Sequence, residues 1–205
     1  LSAVLGCSSA GIDIEEYAAK LARANLAGAR VKGDIFCRDA FDPSVNHDLI
    51  GRFDLVFSFG VMEHIPDVSE KLKLAALYLK PGGKILTVVP NLQGFNWLVQ
   101  RFASLSVLAA HVIYTRQKLQ EVHREAGFSL TAAGYIGFAD GFLTSAAGTT
   151  PLKRRIHLLV CRLLAIEAAI WKKARLPMPE SWWLSPYVFY VGKSSDDSRR
   201  TSPIA

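Results

Sequence analysis

The run Phe53-Asp54-Leu55-Val56-Phe57-Ser58-Phe59 constrains this chain more than any other stretch, because it is apolar at nearly every position and then stops abruptly at Gly60. A strand buried on both faces reads as a near-continuous apolar run, and such strands build parallel sheets covered by helices. Ligands of these sheets bind in the crevice beyond the carboxyl ends of the strands. Here the acidic pair Glu63 and Asp67, with His64 between them, falls just past the strand end. Titratable groups are thus expected where an open α/β sheet holds its ligand.

The rest of the chain alternates strand and helix signals. Gly11 to Ile14 reads as a strand end. Glu15 to Leu26 reads as a helix, with Ala18, Leu21, Ala22 and Leu26 at helical spacing and two acids in its first turn, where they favour the helix dipole. Val31 to Phe36 reads as a strand, and Ser69 to Leu79 as a helix closed by Pro81-Gly82-Gly83. Strands are expected over Lys84 to Val89, Ser129 to Gly137 and Tyr187 to Gly192, with a helix over Arg116 to Ala126. This pattern predicts an α/β fold, a doubly wound and mostly parallel sheet. With 205 residues, one such domain is expected over 1–193, carrying a helical insertion at about 139–186. The polar tail 194–205 reads as disordered.

Two linked elements, Phe53-Asp54-Leu55-Val56 through Glu63-His64 and then Leu79-Lys80-Pro81-Gly82-Gly83-Lys84 through Pro90-Asn91, resemble the class I S-adenosylmethionine-dependent methyltransferases. The resemblance covers roughly residues 1 to 137 and 187 to 193. It implies a Rossmann-like fold whose last strand is antiparallel and inserted near one edge. It also implies S-adenosylmethionine as cofactor. The family's first strand and glycine-rich turn are not found in their expected place. Leu5-Gly6-Cys7-Ser8-Ser9-Ala10-Gly11 is only superficially similar, and in the preferred register Leu1 to Leu5 ends the first helix of an N-terminally truncated domain.

In nucleotide-binding α/β folds an acidic residue at the end of the second strand holds the ribose hydroxyls, since a carboxylate can accept from both. Asp13 occupies that place, with a helix-capping aspartate as the alternative. The resemblance implies that Ile14 packs on the adenine, that Asp34 accepts from the adenine amino group, and that the backbone N–H of Ile35 meets a ring nitrogen. Asp34 as an ordinary turn residue is the alternative. Beyond the next strand, Ser58, Phe59 and Gly60 would line the methionine end of the cofactor.

Methyl transfer from a sulfonium needs a nucleophile held in line in a water-poor pocket. A hydroxyl acceptor gains from a base, and His111 and His64 are the catalytic candidates because a histidine near its ordinary pKa can take a proton at neutral pH. Packing roles are the alternatives. Asn91, Gln93, Asn96 and Trp97 would wall the acceptor pocket, and Tyr114 is expected to bind substrate with them. Relatives in ubiquinone synthesis place an extra glutamate three residues before the Glu-His pair and bind a divalent metal. Gly60 stands there in this chain, so no metal is expected.

The formal net charge of +6 permits a nucleic-acid partner, yet the basic residues thicken only between Lys153 and Arg175 and at Arg199-Arg200. No aromatic-interleaved basic strand or zinc-finger spacing appears, so no nucleic-acid partner is expected. Cys7, Cys37 and Cys161 are odd in number and widely spaced, which fits a reducing cytoplasm better than a disulfide framework. Leu152 to Arg175 mixes Ile156, Leu159, Val160, Leu163, Ile166 and Ile170 with Lys153, Arg154, Arg155, Arg162, Lys172 and Lys173. Such a helix lies on an anionic membrane, caps the active site, or simply docks with a solvated basic face. No stretch is apolar for long enough to span a bilayer. The expected function is methylation of an oxygen on a small-molecule, saccharide or lipid-linked acceptor. A catalytically silent relative and a membrane-surface binding module are the rival readings.

Overall fold

A computed structural model describes residues 6–137, 143–174 and 180–194. The expectations for Leu1 to Leu5 and for the tail beyond Ser194 lie outside the described residues. In chain order the elements are β1 (Ser9–Asp13), α1 (Glu16–Gly28), β2 (Gly33–Cys37), β3 (Phe53–Phe59), α2 (Val68–Ala76) and β4 (Leu79–Pro90). There follow α3 (Gly94–Ala103), α4 (Leu105–Ala109), α5 (Arg116–Glu125), β5 (Phe128–Ile136), α6 (Pro151–Ala174) and β6 (Tyr187–Ser194). The fold is α/β, as the alternation implied, and Rossmann-like, as the resemblance implied.

Four strands pair in the order β3-β4-β6-β5, and β1 pairs with β2 in a second sheet. β1 runs parallel to β2 and β3 parallel to β4, while β6 runs antiparallel to both of its neighbours. The late strand therefore inserts between β4 and β5 as expected. The core lies where β4, β6 and the start of β5 meet α2 and α5, and includes Leu72, Leu79, Ile85, Val89, Leu119, Phe128, Val188 and Tyr190. Two hydrogen bonds hold His123 of α5 inside it. The Leu119 carbonyl accepts from Nδ1, and Thr87 Oγ1 lies 2.8 Å from Nε2.

Three expectations need correction. β3 is not buried on both faces: Leu55, Phe57 and Phe59 share one face of it and are exposed, the two phenylalanines at 56% each. The strand ends its sheet, so no described strand pairs its outer edge. The second correction concerns Ser69 to Leu79. The helix stops at Ala76, and β4 already begins at Leu79, opposite Phe53. The Pro81-Gly82-Gly83 segment is a kink inside that strand, where the pairing register shifts between Phe53 and Leu55 and Gly82 adopts a φ of 74°. Third, the stretch after β4, for which no helix was expected, holds the helices α3 and α4. α3 was hidden because its polarity is inverted: Asn96 and Gln100 are buried, while Leu98 and Phe102 face outward. Smaller shifts of one to three residues affect the ends of the other elements.

Candidate active site

The carboxyl ends of β1 and β2 meet because the pairing sets Asp13 opposite Cys37. The Asp13 backbone carbonyl also accepts from the N–H of Arg38 at 3.1 Å. Asp13 Oδ1 accepts from the backbone N–H of Glu15 at 2.9 Å, which closes the turn into α1. Both readings of Asp13 are thus compatible, since one oxygen serves the helix start and Oδ2 has no hydrogen bond among the described residues. Ile14 beside it is 67% exposed.

Asp34 and Ile35 do not join them. Asp34 pairs with Ala10 at the entering end of β2, three residues before Cys37 and so about 10 Å along the strand from the Asp13 end. The Ile35 carbonyl accepts two hydrogen bonds from Arg23 of α1, and its side chain packs over Gly11. Ile35 thus belongs to the helix-sheet packing, while Asp34 is exposed. Asp39, two residues past β2, is a carboxylate beyond the same strand ends as Asp13, with Oδ1 accepting from the N–H of Phe41 at 2.8 Å. Its signal was present in the sequence as an acid just after Ile35-Phe36-Cys37.

At the end of β3, the Ser58 hydroxyl is buried with no hydrogen-bond partner among the described residues, and the Phe59 ring lies 4.9 Å from that of Tyr187. Gly60 turns the chain with a φ of 68°, and its N–H donates to Val88 at 3.0 Å. A side chain there would be strained and would start 3.6 Å from Glu63 Oε1. Glu63 itself is only 3% exposed, and among the described residues its Oε2 has no partner. Burial pushes its carboxyl pKa upward, against smaller opposing effects from a backbone hydrogen bond and the two histidines.

The segment after α4 is tied to this point because Val112 N–H donates to the Glu63 carbonyl at 2.8 Å. That bond brings His111 to His64, with ring centroids 4.5 Å apart. His111 Nδ1 is 2.6 Å from the Val107 carbonyl oxygen. A carbonyl can only accept, so Nδ1 carries the proton and Nε2 of the neutral ring keeps its lone pair. His64 Nε2 lies 3.8 Å from Glu63 Oε1. Glu63, His64 and His111 together offer donor atoms within 4.8 Å of one another, a set able to hold a divalent ion. The sequence reading counted only Glu63 and His64, because His111 lies far along the chain.

The expected acceptor wall is mostly structural. Asn91 is fully buried, and its Nδ2 donates to the carbonyls of Trp182 and Ser185 while its Oδ1 accepts from Gln93. Asn96 Nδ2 donates to the carbonyls of Asn91 and Ser185. These amides clamp the 180–186 segment to the end of β4, and their donors are spent on it. Tyr114 is a core residue, with burial raising its hydroxyl pKa. Gln93 and Trp97 remain part-open, the latter with the Arg101 guanidinium 5.0 Å above its ring.

The sequence profile of a methyltransferase domain family matches residues 2–133, more than half of the chain. The chain belongs to that methyltransferase family. This methyltransferase domain is 31% identical over 95 residues to the ubiquinone biosynthesis O-methyltransferase of Thiobacillus denitrificans, covering 46% of this chain and 40% of that protein. The enzyme of the same name from Hydrogenovibrio crunogenus is 27% identical over 141 residues, covering 65% of this chain and 58% of its own length. The matched part thus spans about half the length of these relatives. Among solved structures, a SAM-dependent methyltransferase from Thermotoga maritima aligns with a TM-score of 0.57 at 15% identity, over 95% of this chain and 76% of that one. One from Archaeoglobus fulgidus aligns at 0.53 and 14%, over 92% and 87%. These likenesses establish the shared fold.

S-adenosylmethionine, the methyl donor of this fold family, suits the residues present. Asp13 has a carboxylate oxygen left for a ribose diol, and exposed Ile14 offers apolar surface for a purine. The buried, unpartnered Ser58 hydroxyl lies near the end of β3.

Proposed function

We propose that this domain transfers the methyl group of S-adenosylmethionine to an oxygen of a small-molecule acceptor, with saccharide or lipid-linked compounds as the narrower class. The observation that carries this reading is the convergence of His111, His64 and buried Glu63 immediately beyond β3, within a methyltransferase domain. Asp13 binds the ribose through its unengaged oxygen, Asp39 holds the adenine amino group, and the backbone carbonyls of Ser58 to Gly60 receive the ammonium. The bound cofactor supplies an electrophilic methyl group.

His111 then acts as the base. Its Nδ1 proton is fixed by Val107, so Nε2 accepts the proton of the acceptor hydroxyl as the oxygen attacks. Glu63 lies close enough to favour the imidazolium that forms, since a nearby negative charge stabilises the protonated ring. Its own burial opposes its ionisation, so this help is greatest once the histidine becomes positive.

Calorimetry with S-adenosylmethionine on Asp13→Ala, Asp39→Ala and Asp34→Ala tests the binding half. The first two variants should lose affinity by about tenfold or more, on the order of 1.5 to 3 kcal/mol for a hydrogen bond to a charged group. Asp34→Ala should bind like the parent. Equal effects at Asp34 and Asp39 would refute the assignment. In a screen of hydroxylated acceptors, His111→Ala should reduce turnover about a hundredfold or more with cofactor affinity kept. A loss of only a few fold at every pH would leave positioning as the whole of catalysis. Failure of the parent to bind cofactor would favour the catalytically silent reading.

A further inference from the structure

α6 presents an apolar stripe that no described part of the protein covers. Leu152, Ile156, Leu159, Leu163, Ile166 and Ile170 follow one another in steps of four and three residues, which at 3.6 residues per turn keeps them on one line along the helix. All six are between 40% and 68% exposed. The helix docks by another face: His157 and Cys161 are its buried residues, about a third of a turn or more away from the stripe. Thr144 Oγ1, 2.7 Å from His157 Nε2, pins that face. The stripe is therefore not the face by which α6 holds to its own domain.

Charge selects the occupant. α6 carries Lys153, Arg154, Arg155, Arg162, Lys172 and Lys173 against the single acid Glu167. Among the described residues none of the ion pairs engages these bases. On a helical projection Arg155, Arg162 and Lys173 line one flank of the stripe. A second copy seated antiparallel would set Lys153, Arg154 and Arg155 against Lys172 and Lys173, which repel. An anionic lipid surface meets both features, taking the apolar line into its acyl boundary and the bases at its phosphates. No described helix is long and apolar enough to cross a membrane, so the contact is one of lying on the surface.

We infer that α6 is an interfacial helix that seats this domain on anionic phospholipid through the Leu152 to Ile170 stripe and its basic flank. The inference is independent of the methyl-transfer reading, because it needs neither cofactor nor acceptor. It would bring a lipid-linked acceptor and the active site to the same surface.

The test is sedimentation of the whole chain with vesicles of phosphatidylcholine alone, and with vesicles also containing phosphatidylglycerol at about a third of the lipid. Binding is expected to the anionic vesicles and to weaken steeply with added salt. Arg155→Gln with Arg162→Gln should lower the partition coefficient roughly twenty-five-fold, at about fivefold for each basic group near such a surface. Leu159→Gln with Leu163→Gln should abolish binding while circular dichroism and thermal unfolding stay like the parent, because both leucines are exposed. Equal binding to both vesicle types, or retention by the leucine variant, overturns the inference. So does a dimer in light scattering that the leucine variant dissociates while neither protein binds vesicles.

Discussion

Lowering the pH from about 7 to 5 should destabilise the domain by about 2 kcal/mol through His123 alone. The ring is fully buried, stacked 3.9 Å from Tyr190, and held neutral between the Leu119 carbonyl and the Thr87 hydroxyl. Burial lowers its pKa from 6.5 to about 4. In the unfolded chain the ring takes up a proton near 6.5, so falling pH favours unfolding. The stability is fully present above that value and is lost as pH drops towards 4. At about 1.36 kcal/mol per unit of pKa the whole effect is roughly 3 kcal/mol, and about 2 of it falls between pH 7 and 5. Glu63 acts in the opposite direction, because a carboxyl raised by burial makes the folded state bind its proton more readily. Urea unfolding should therefore compare the parent with His123→Leu. The stability difference between them should shrink by about 2 kcal/mol over that range. Proton NMR of the folded parent gives a second reading, in which the His123 ring should not titrate above about pH 5. A His123 resonance that titrates near 6.5 while the protein stays folded would refute the reasoning.

Chelation by EDTA should leave methyl transfer within about twofold, because base catalysis and positioning suffice; complete loss restored by zinc or manganese would turn the Glu63, His64 and His111 cluster into a metal centre. Asn91→Ala should cost about 2 to 4 kcal/mol in urea unfolding, since it strips partners from the carbonyls of Trp182 and Ser185 in a buried site; a neutral result would return Asn91 to the acceptor pocket. Gly94→Ala should cost about 2 kcal/mol or more, because Gly94 has a φ of 52° and a new Cβ would sit 2.7 Å from Trp183 Cα. Unchanged melting of that variant would mean that the 180–186 segment can yield.

The α/β alternation, the inserted antiparallel strand and the place of Asp13 were legible because each rests on local patterns: periodicity, a helix-start acid, an apolar run with a sharp end. Asp34 lies three residues from the Cys37 end of β2, a separation that strand pairing reveals and a local motif does not. His111 and Glu63 meet through a backbone bond from Val112, a contact with no local signal. Asn91 and Asn96 looked like pocket residues since polar groups after a strand usually face ligand, yet here a distant segment folds back and consumes them. α3 escaped notice because its buried face is amide rather than aliphatic.

Among the described residues no strand pairs the outer edge of β3, which has a consequence for how these residues behave in company. A terminal strand with unspent N–H and C=O groups is a template onto which any extended segment can add, and proteins normally guard such strands with charge, proline or a bulge. β3 has one charge, Asp54, which Lys80 neutralises at 2.8 Å. Leu55, Phe57 and Phe59 stand unguarded beside it. For the chain of residues 1–205, a lysine introduced at Phe57, whose ring is 56% exposed, should raise solubility at little expense to the fold.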